Sequence, residues 1–459
     1  MKILFAAAEV DPFSKVGGLA DVASSLPQRL REIGHDIRVV TPYHQSAMPY
    51  FEAASQHREL VVPLPGGDRV VDIATVTGSG GVPVELIGER HYFGREHVYG
   101  EPDDLLRYQF FCRAIIQMLT TEQWIPDILH LNDWHTAPLA FALRNLAWNH
   151  PVLRGVASVF TIHNLRYRGP DELNDFLSQA IYYSDWITTV SPTYAREILT
   201  SEYGEGLDPL LNLRHENLAG ILNGLNYDDF NPRTDPFIAR QFDLTNVEDR
   251  KENRVALRQE LGLPQSDGPV AGMVTRITEQ KGVDLVIQAL PEMVAVGAQL
   301  VVLGIGDELL TAELSRLQDA YHEHVRLVAR FDEALAQRIY AGSDMFLMPS
   351  RYEPCGLGQI IAMRYGSVPI GRRTGGLVDT IFDLDEHPET ATGFLFDEFT
   401  GHALASTCDR AVRAFRDTAV WDRLIHNGMT RDFSWRASAT HYVDTYVRAL
   451  RARGIVPLE

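Results

Sequence analysis

The stretch ILFAAAEVDPFSKVGGLADVASSLPQRLREIGHDIRVVTP, residues 3–42, decides the fold class. It opens with an apolar run over residues 3–8, which is typical of a buried β-strand. After a loop, apolar side chains recur at helical spacing and predict a helix, at Leu19, Val22, Ala23, Leu26, Leu30 and Ile33. Gly34 is a suitable stop, and residues 36–42 predict a second strand. A strand, a helix and a second strand in this order predict an α/β fold with a parallel sheet.

The same alternation of short apolar runs and longer amphipathic segments continues along the chain. Further strands are predicted in the first half at RVVDIATV (69–76), PVELIG (83–88), DILHLND (127–133), SVFTIHN (158–164), WITTVSP (186–192) and LAGILNG (218–224). The polar, turn-rich residues 226–254 predict a linker. A second series of strands runs from PVAGMVTRI (269–277) to TGFLF (392–396), and residues 435–453 have a helical pattern. We therefore predict two doubly wound α/β domains, with ligands in a cleft at the carboxyl ends of the strands.

Composition and charge exclude several classes of partner. The 459 residues carry a formal net charge of −19, which argues against binding to nucleic acid or to an anionic membrane surface. The cysteines, Cys112, Cys355 and Cys408, are far apart and odd in number, so neither a disulfide framework nor a CxxC metal site is indicated. The N-terminus lacks a signal-peptide pattern, and no apolar run approaches the roughly 18 residues of a membrane helix. We expect a soluble, cytoplasmic protein.

The loop after the first predicted strand carries a lysine and a pair of glycines. Gly17 and Gly18 follow Lys15 closely, and they allow the backbone to approach a ligand. The lysine and the following helix N-terminus both favour an anion. Neither G-x-G-x-x-G nor G-x-x-x-x-G-K-[ST] occurs, so no dinucleotide or Walker loop is indicated. A surface turn with a solvated lysine remains the alternative.

Three loops of the second half have related features. Arg276 and Lys281 lie five residues apart in TRITEQKGVDL (275–285), where two cations can clamp a diphosphate, although a solvated loop has the same pattern. Glu353 in PSRYEPCGLGQ (349–359) can accept hydrogen bonds from sugar hydroxyls, or it can cap a helix. The backbone of the next turn, and that of the TGG sequence at 374–376, can face phosphate, with a plain helix N-cap as the competing interpretation.

Asp133 and His163 end two predicted strands of the first half, where they can line the cleft. His130 and His135 do not have the HExxH spacing of a zinc site, and packed structural histidines are the commoner case. Asp383 and the acid two residues later form a D-x-D pair, a pattern that can hold a metal–diphosphate. The pair lies in a polar loop, so we interpret it as a chance pattern on a solvated surface. No metal site is therefore predicted.

Taken together and in this order, the motifs resemble one family. KVGGLADV (15–22), DWH (133–135), TIHNL (161–165), ILNG (221–224), TRITEQKGVDL, PSRYEPCGLGQ, RRTGGLVDT (372–380) and DFSW (432–435) resemble the bacterial glycogen synthase and starch synthase family, glycosyltransferase family 5. The resemblance covers essentially the whole chain and includes residues 92–114.

The resemblance implies a GT-B fold, in which two Rossmann-like doubly wound domains face a deep cleft. The domains would span residues 1–235 and 236–435, with a C-terminal helix at 436–459 packing back on the first. The implied activity transfers glucose from ADP-glucose to the non-reducing end of an α-1,4-glucan, glycogen or a malto-oligosaccharide, with retention of configuration. Neither a cofactor nor a metal is implied.

The resemblance also assigns site residues. Lys15 would contact the phosphates of the donor, Arg276 and Lys281 would clamp its diphosphate, and Glu353 would lie near the transferred glucose. His163 would orient or stabilise the sugar. The remaining implied substrate-binding residues are Gly17, Gly18, Asp21, Asp133, Asn223, Cys355, Gly356, Leu357, Thr374, Gly375, Gly376 and, beside the adenine, Phe331.

Two departures and three alternatives stay open. Residues 224–226 are Gly-Leu-Asn where the family often has Gly-Ile-Asp, and HNLRYRG (163–169) adds Arg166 and Arg168 beside the expected acceptor contacts. The alternatives are a GT-B transferase that uses UDP-glucose or a small acceptor, a glucan phosphorylase, and a non-catalytic glucan-binding or priming scaffold. A phosphorylase would need pyridoxal phosphate on a lysine that no local feature assigns. A scaffold would not need a phosphate clamp.

Overall fold

The computed structural model of the chain describes residues 1–147, 149–169 and 175–455. The chain divides into two compact units. Unit 1 contains Met1–Gly224 and the chain from Trp435 onward, and unit 2 contains Leu225–Ser434. The last four residues of the predicted C-terminal helix, 456–459, lie outside the described residues. Among the described residues, no helix combines the length and the apolar content that a membrane crossing requires.

Unit 1 is built on one mixed sheet, which has nine strands within the described residues. The strands are β1 (Lys2–Ala6), β2 (Asp36–Pro42), β3 (Gln56–Val62), β4 (Arg69–Thr77), β5 (Pro83–Gly88), β6 (Ile128–Asn132), β7 (Ala157–Ile162), β8 (Trp186–Thr189) and β9 (Leu218–Gly220). Their order is β3-β4-β5-β2-β1-β6-β7-β8-β9. The pairs β3–β4 and β4–β5 are antiparallel, and the other pairs are parallel. The sheet therefore differs from a purely parallel one along one edge.

Helices follow the strands of unit 1 and cover the sheet. They are α1 (Gly18–Glu32), α2 (Met48–Ala53), α3 (Arg90–Phe93), α4 (Asp104–Thr121), α5 (Asp133–Thr136), α6 (Pro138–Leu146), α7 (Pro151–Arg154), α8 (Phe176–Tyr183), α9 (Pro192–Glu197) and α10 (Asp208–Leu213). Most of the apolar face predicted for the first helix is the buried face of α1, where Leu19, Val22 and Leu26 join the core. Ile33 is an exception, since it lies one residue beyond the helix and is 49% exposed. The 3.6-residue period of these side chains therefore selects both the helix and its buried side.

Unit 2 has a six-stranded parallel sheet within the described residues, in the order β12-β11-β10-β13-β14-β15. Its strands are β10 (Val270–Val274), β11 (Gln299–Leu303), β12 (Val325–Val328), β13 (Met345–Met348), β14 (Val368–Arg372) and β15 (Phe394–Phe396). Its helices are α11 (Arg250–Leu261), α12 (Val283–Ala295), α13 (Glu308–Ala320), α14 (Glu333–Gly342), α15 (Gly358–Arg364), α16 (Gly375–Thr380), α17 (Gly401–Phe415) and α18 (Thr418–Thr430). The order reverses beside β10, which places the loops after β10 and β13 at a switch point.

The predicted linker is a packed part of unit 2, so the boundary falls between Gly224 and Leu225 rather than at residue 235. Asp235 is buried and accepts a hydrogen bond from the hydroxyl of Tyr365 at 2.6 Å. Phe242 is buried in the core cluster of unit 2 that also contains Tyr365. The turn-rich composition predicted irregular backbone over most of this segment, but residues 250–254 begin helix α11, and irregular backbone need not be a free connection.

The last described helix, α19 (Trp435–Ala452), belongs to unit 1. The hydroxyl of Tyr446 lies 2.8 Å from Nδ1 of His130, a fully buried residue of β6. The hydroxyl of Ser438 donates to the carbonyl of Leu222 at 2.7 Å. Unit 1 is thus completed by residues from the far end of the chain.

Candidate active site

In unit 2, the loops after β10 and β13 pack against each other through a glycine. The two strands are adjacent and parallel, so their carboxyl ends lie at one edge of the sheet. Gly282 has a left-handed φ of +71°, and a Cβ there would lie 2.0 Å from the carbonyl oxygen of Pro349. Only a glycine allows this approach. The contact brings Lys281, the residue before it, to the loop that carries Glu353.

The two glycines of the TGG sequence pack against the Glu353 loop in the same way. A Cβ on Gly375 would lie 2.0 Å from the carbonyl oxygen of Glu353, and one on Gly376 would lie 2.0 Å from that of Cys355. The N–H of Gly376 donates to the Glu353 carbonyl at 3.0 Å. Both glycines are therefore required by backbone-to-backbone packing. Thr374 occupies the N-cap position of α16 with extended backbone, as the N-cap interpretation expects, but its side chain makes no capping hydrogen bond to that helix.

Glu353 and Lys281 form an ion pair at this edge of the sheet. The ammonium of Lys281 donates to the Glu353 carboxylate at 2.7 Å, and the hydroxyl of Ser350 donates to the same oxygen at 2.9 Å. Glu353 is only 4% exposed. Helix α15 begins five residues later at Gly358, so Glu353 is not its N-cap. A buried carboxylate of this kind needs its lysine partner.

The other predicted residues of unit 2 lie along the same edge. Arg276 is exposed on the loop after β10, and Cys355 is buried beside Gly356, which has a φ of +72°. Leu357 is half-buried and precedes α15. Phe331 follows the edge strand β12 and is 82% exposed. Helices α15 and α16 are short, seven and six residues, so local N–H groups matter there more than a long-helix dipole.

In unit 1, the loop after β1 is held by a residue that the motif search missed. The N–H groups of Val16 and Gly17 both donate to one oxygen of Glu9, which is 1% exposed. Burial raises the pKa of Glu9 to about 7, and the nearby carboxylate of Asp21 adds to the effect. The ammonium of Lys15 donates to Asp21 at 2.6 Å. The only sequence signal for Glu9 is an acid directly after a buried apolar run.

The carboxyl ends of the neighbouring strands β6 and β7 are joined by Asp133. This residue has a left-handed φ of +53°, which is uncommon for a residue other than glycine. Its carboxylate accepts the N–H of His163 at 2.8 Å and that of Asn164. Burial raises the pKa of Asp133 to about 7, with a smaller contribution from Glu9. Strained backbone and an acid with a raised pKa at strand ends are typical of functional sites.

His163 and Asn223 complete the predicted positions of unit 1. Nε2 of His163 lies 2.9 Å from the amide oxygen of Asn132, and burial lowers the pKa of His163 to about 3. Asn223 is buried and follows β9, two strands beyond β7. Gly18 opens α1 directly after the Lys15 loop. The strand ends thus place Lys15 and Gly17 on the loop before α1, with Asp21 in the first turn of that helix, and bring Asp133 into contact with His163.

Three other polar residues have structural contacts. His130 is hydrogen-bonded to Thr161 at 2.7 Å and to Tyr446, and the ring of His135 packs against Tyr108. Asp383 is buried and accepts the N–H of Leu395 at 2.6 Å, so its part in the D-x-D pair is not a solvated surface. Within the described ranges, no group of three or more His, Cys, Asp or Glu side chains is arranged to hold a metal ion.

Comparisons with known proteins agree with these motifs. The family model of the starch synthase catalytic domain matches residues 2–213, and that of glycosyl transferases group 1 matches residues 256–415. The glycogen synthase of Moorella thermoacetica is 40% identical over 479 residues, covering 99% of this chain and 98% of that protein. The glycogen synthase of Geotalea daltonii is 42% identical over 483 residues, covering 99% and 100%.

Solved structures of related proteins also match this chain over nearly its whole length. The catalytic domain of starch synthase IV from Arabidopsis thaliana, bound to ADP and acarbose, is 35% identical with a TM-score of 0.87 and coverage of 98% and 99%. Sucrose-phosphate synthase from Thermosynechococcus elongatus, 20% identical over 98% and 99% of the two chains with a TM-score of 0.64, shares the fold. The chain therefore belongs to the glycogen synthase and starch synthase family, has the GT-B fold of these relatives, and is a hexosyltransferase.

Proposed function

We propose that the chain transfers glucose from ADP-glucose to the non-reducing end of an α-1,4-glucan, glycogen or a malto-oligosaccharide, with retention of configuration. The observation that carries the proposal is the Lys281–Glu353 ion pair, which is held by glycine packing beside the TGG loop. The two groups lie 2.7 Å apart, and Lys281 would bind phosphate while Glu353 would accept from sugar hydroxyls, as a nucleotide sugar requires. A similar starch synthase has been solved with ADP and acarbose, which supports the donor and the glucan.

Unit 2 would hold the donor. Arg276 and Lys281 would bind the diphosphate, and the backbone around Gly375 would face its phosphates. Glu353 would accept hydrogen bonds from hydroxyls of the transferred glucose, since the contact with Lys281 orients its carboxylate. The turn at Cys355, Gly356 and Leu357 would support that sugar. The exposed ring of Phe331 would stack on the adenine.

Unit 1 would hold the glucan and contribute to the phosphate contacts. Lys15 would contact the donor's phosphates, and the residues beside it, Gly17, Gly18 and Asp21, would lie next to the sugars. Asp133, His163 and Asn223 would contact sugar hydroxyls. His163 is neutral at pH 7, because burial lowers its pKa to about 3, so it would orient the sugar rather than act as a cation.

The chemistry follows from where charge develops. The bond between the anomeric carbon and the phosphate oxygen breaks, and its electron pair goes to the leaving phosphate. Cations at Lys15, Arg276 and Lys281 stabilise that charge, so no metal ion is required. For retention, the acceptor's 4-hydroxyl oxygen bonds to the anomeric carbon on the same face, and its proton goes to the leaving phosphate. A double displacement would need a carboxylate nucleophile, and Glu353 is already committed to Lys281 and Ser350.

The test measures release of nucleoside diphosphate. The protein is incubated with glycogen and either ADP-glucose or UDP-glucose in EDTA, beside Lys15→Ala and a control, Lys251→Ala, which removes an exposed lysine of α11. We expect release from ADP-glucose that falls about 10²–10³-fold in Lys15→Ala alone. Release only from UDP-glucose would overturn the donor. Glycogen binding without release from either donor would favour the scaffold.

A further inference from the structure

The buried residue before Asp133 controls the ring of His163. Asn132 ends β6 and is 0% exposed. Its amide nitrogen donates to the carbonyl oxygen of Ala6 on β1 at 3.0 Å. A carbonyl oxygen can only accept, so this bond fixes which end of the amide is nitrogen. The amide oxygen must then be the atom that lies 2.9 Å from Nε2 of His163.

This arrangement assigns the proton on the ring. An amide oxygen only accepts hydrogen bonds, so Nε2 of His163 must carry a hydrogen. Burial lowers the pKa of His163 to about 3, which leaves the imidazole neutral at pH 7. A neutral imidazole has one N–H, and therefore Nδ1 carries a lone pair and no hydrogen. Nδ1 is the ring nitrogen left for a ligand.

The ionisable groups around the ring are compatible with a neutral state. Asp133 directs its carboxylate to the backbone N–H groups of His163 and Asn164. Burial lowers the pKa of His130, the other histidine that interacts with His163, to about 3, so His130 is also uncharged. Glu9 acts on Asp133, and burial raises the pKa of both acids to about 7.

We infer that Asn132 is a positioning residue that holds His163 in the Nε2–H form, so that Nδ1 accepts a hydrogen bond from a sugar hydroxyl of the substrate. The inference rests on the proposed function for the identity of that ligand. His163 in this form cannot donate from Nδ1, and it is neither a general acid nor a cation beside the anomeric carbon.

The first test needs no substrate, and it uses a variant only to assign the signals. The full chain is labelled with ¹⁵N-histidine, the signals of His163 are assigned by comparison with His163→Gln, and the protonation of both ring nitrogens is followed from pH 6 to 8. We expect a protonated Nε2 and a bare Nδ1 throughout this range. A proton on Nδ1, or titration within the range, would overturn the inference whether or not ADP-glucose is the donor.

The second test changes Asn132. Asn132→Leu keeps the approximate volume and removes the acceptor, so we expect a mixture of ring forms and a loss in kcat/KM of about tenfold, the size of one hydrogen bond. Asn132→Asp places a carboxylate beside Nε2–H and should raise the pKa of His163. Its kcat/KM should then fall more steeply than that of the unchanged protein between pH 8 and pH 6.

The matched control is Asn145→Leu, which removes an exposed amide of α6 that donates to the carbonyl of Phe141. It should change neither the ring signals nor kcat/KM. If Asn132→Leu keeps the ring signals and kcat/KM of the unchanged protein, Asn132 does not position His163. The activity measurements use whichever donor releases nucleotide, so an error in the donor leaves this result intact.

Discussion

Glu9 keeps a carboxylate in a position where its charge is unfavourable. Burial raises its pKa from 4.5 to about 7, although two N–H groups of the Lys15 loop donate to it. Between these pH values the folded chain holds a proton that the unfolded chain has released. Stability therefore falls as the pH rises through this window, and the full loss is present above pH 7. A residue that lowers stability at neutral pH in this way is typical of functional sites.

The charge of Glu9 can be removed without removing its acceptor oxygen. Glu9→Gln should make unit 1 more stable at pH 8, by at most about 3 kcal/mol, and should flatten the pH dependence between pH 5 and 7. Turnover should fall, because a neutral amide holds the Lys15 loop less firmly than a carboxylate. Urea unfolding followed by tryptophan fluorescence reports on unit 1, which holds five of the six tryptophans. An unchanged pH slope would show that Glu9 is not the titrating group.

The Lys281–Glu353 pair is a second residue-scale test. Lys281→Met leaves a nearly buried carboxylate without its cation and should destabilise unit 2 by about 3–5 kcal/mol. Adding Glu353→Gln should recover much of that stability, since the uncompensated charge is gone, while nucleotide release stays absent. Calorimetry and the release assay measure the two effects. A double variant no more stable than Lys281→Met would contradict the ion-pair account.

At the scale of elements, the positions of the loops of unit 2 depend on glycines that pack against the backbone of neighbouring loops. Gly376→Ala places a Cβ where the carbonyl oxygen of Cys355 lies, so the two loops must separate. We expect turnover to fall at least 100-fold, with a smaller effect on thermal stability. Gly155→Ala is the control, because its Cβ would meet the nearest backbone oxygen at an ordinary 3.8 Å. Equal activity in both variants would show that the TGG packing is not needed for catalysis.

Apolar periodicity predicted most elements and misplaced their ends. The predicted strand PVELIG is β5, whereas the predicted strand 269–277 ends at Val274 in the structure. Ile277 is buried in the following loop, so it continued the apolar pattern without being in the strand. The sequence also gave no sign of β3, an edge strand whose residues are mostly exposed. Edge strands bury too little surface to produce a clear apolar run.

Residues of the candidate site could be predicted where they belong to a sequence motif, but not where contacts with the backbone bring them there. Lys15, Lys281 and Glu353 stand in recognisable loops. Glu9 and Asn132 do not belong to a recognisable motif. The partners of Glu9 are the N–H groups of Val16 and Gly17, and the partner of Asn132 is the carbonyl of Ala6. The Asn132 contact exists because β1 and β6 pair in one register, which no local pattern specifies.

At the scale of the whole molecule, the chain leaves unit 1 at Gly224 and returns to it at Trp435. Tyr446→Phe removes the hydroxyl that meets buried His130 and should cost unit 1 about 1–3 kcal/mol. The unfolding transition of unit 2 should not move. Tyr182→Phe, which changes an exposed ring, is the control. Calorimetry resolves the two transitions, and an equal shift of both would contradict the assignment of α19 to unit 1 alone.

The late return of α19 matters during protein synthesis. Tyr442, Tyr446 and Leu450 of α19 belong to the same core cluster of unit 1 as Ile3 and Phe5, which leave the ribosome first. About 210 residues of unit 2 are made in between, which takes about 10–40 s at ordinary rates of translation. For that time the core cluster of unit 1 lacks the apolar side chains of α19, and exposed apolar surface of this kind is what chaperones bind. A ribosome that stops before Trp435 would release a chain with a finished second unit and an open first one.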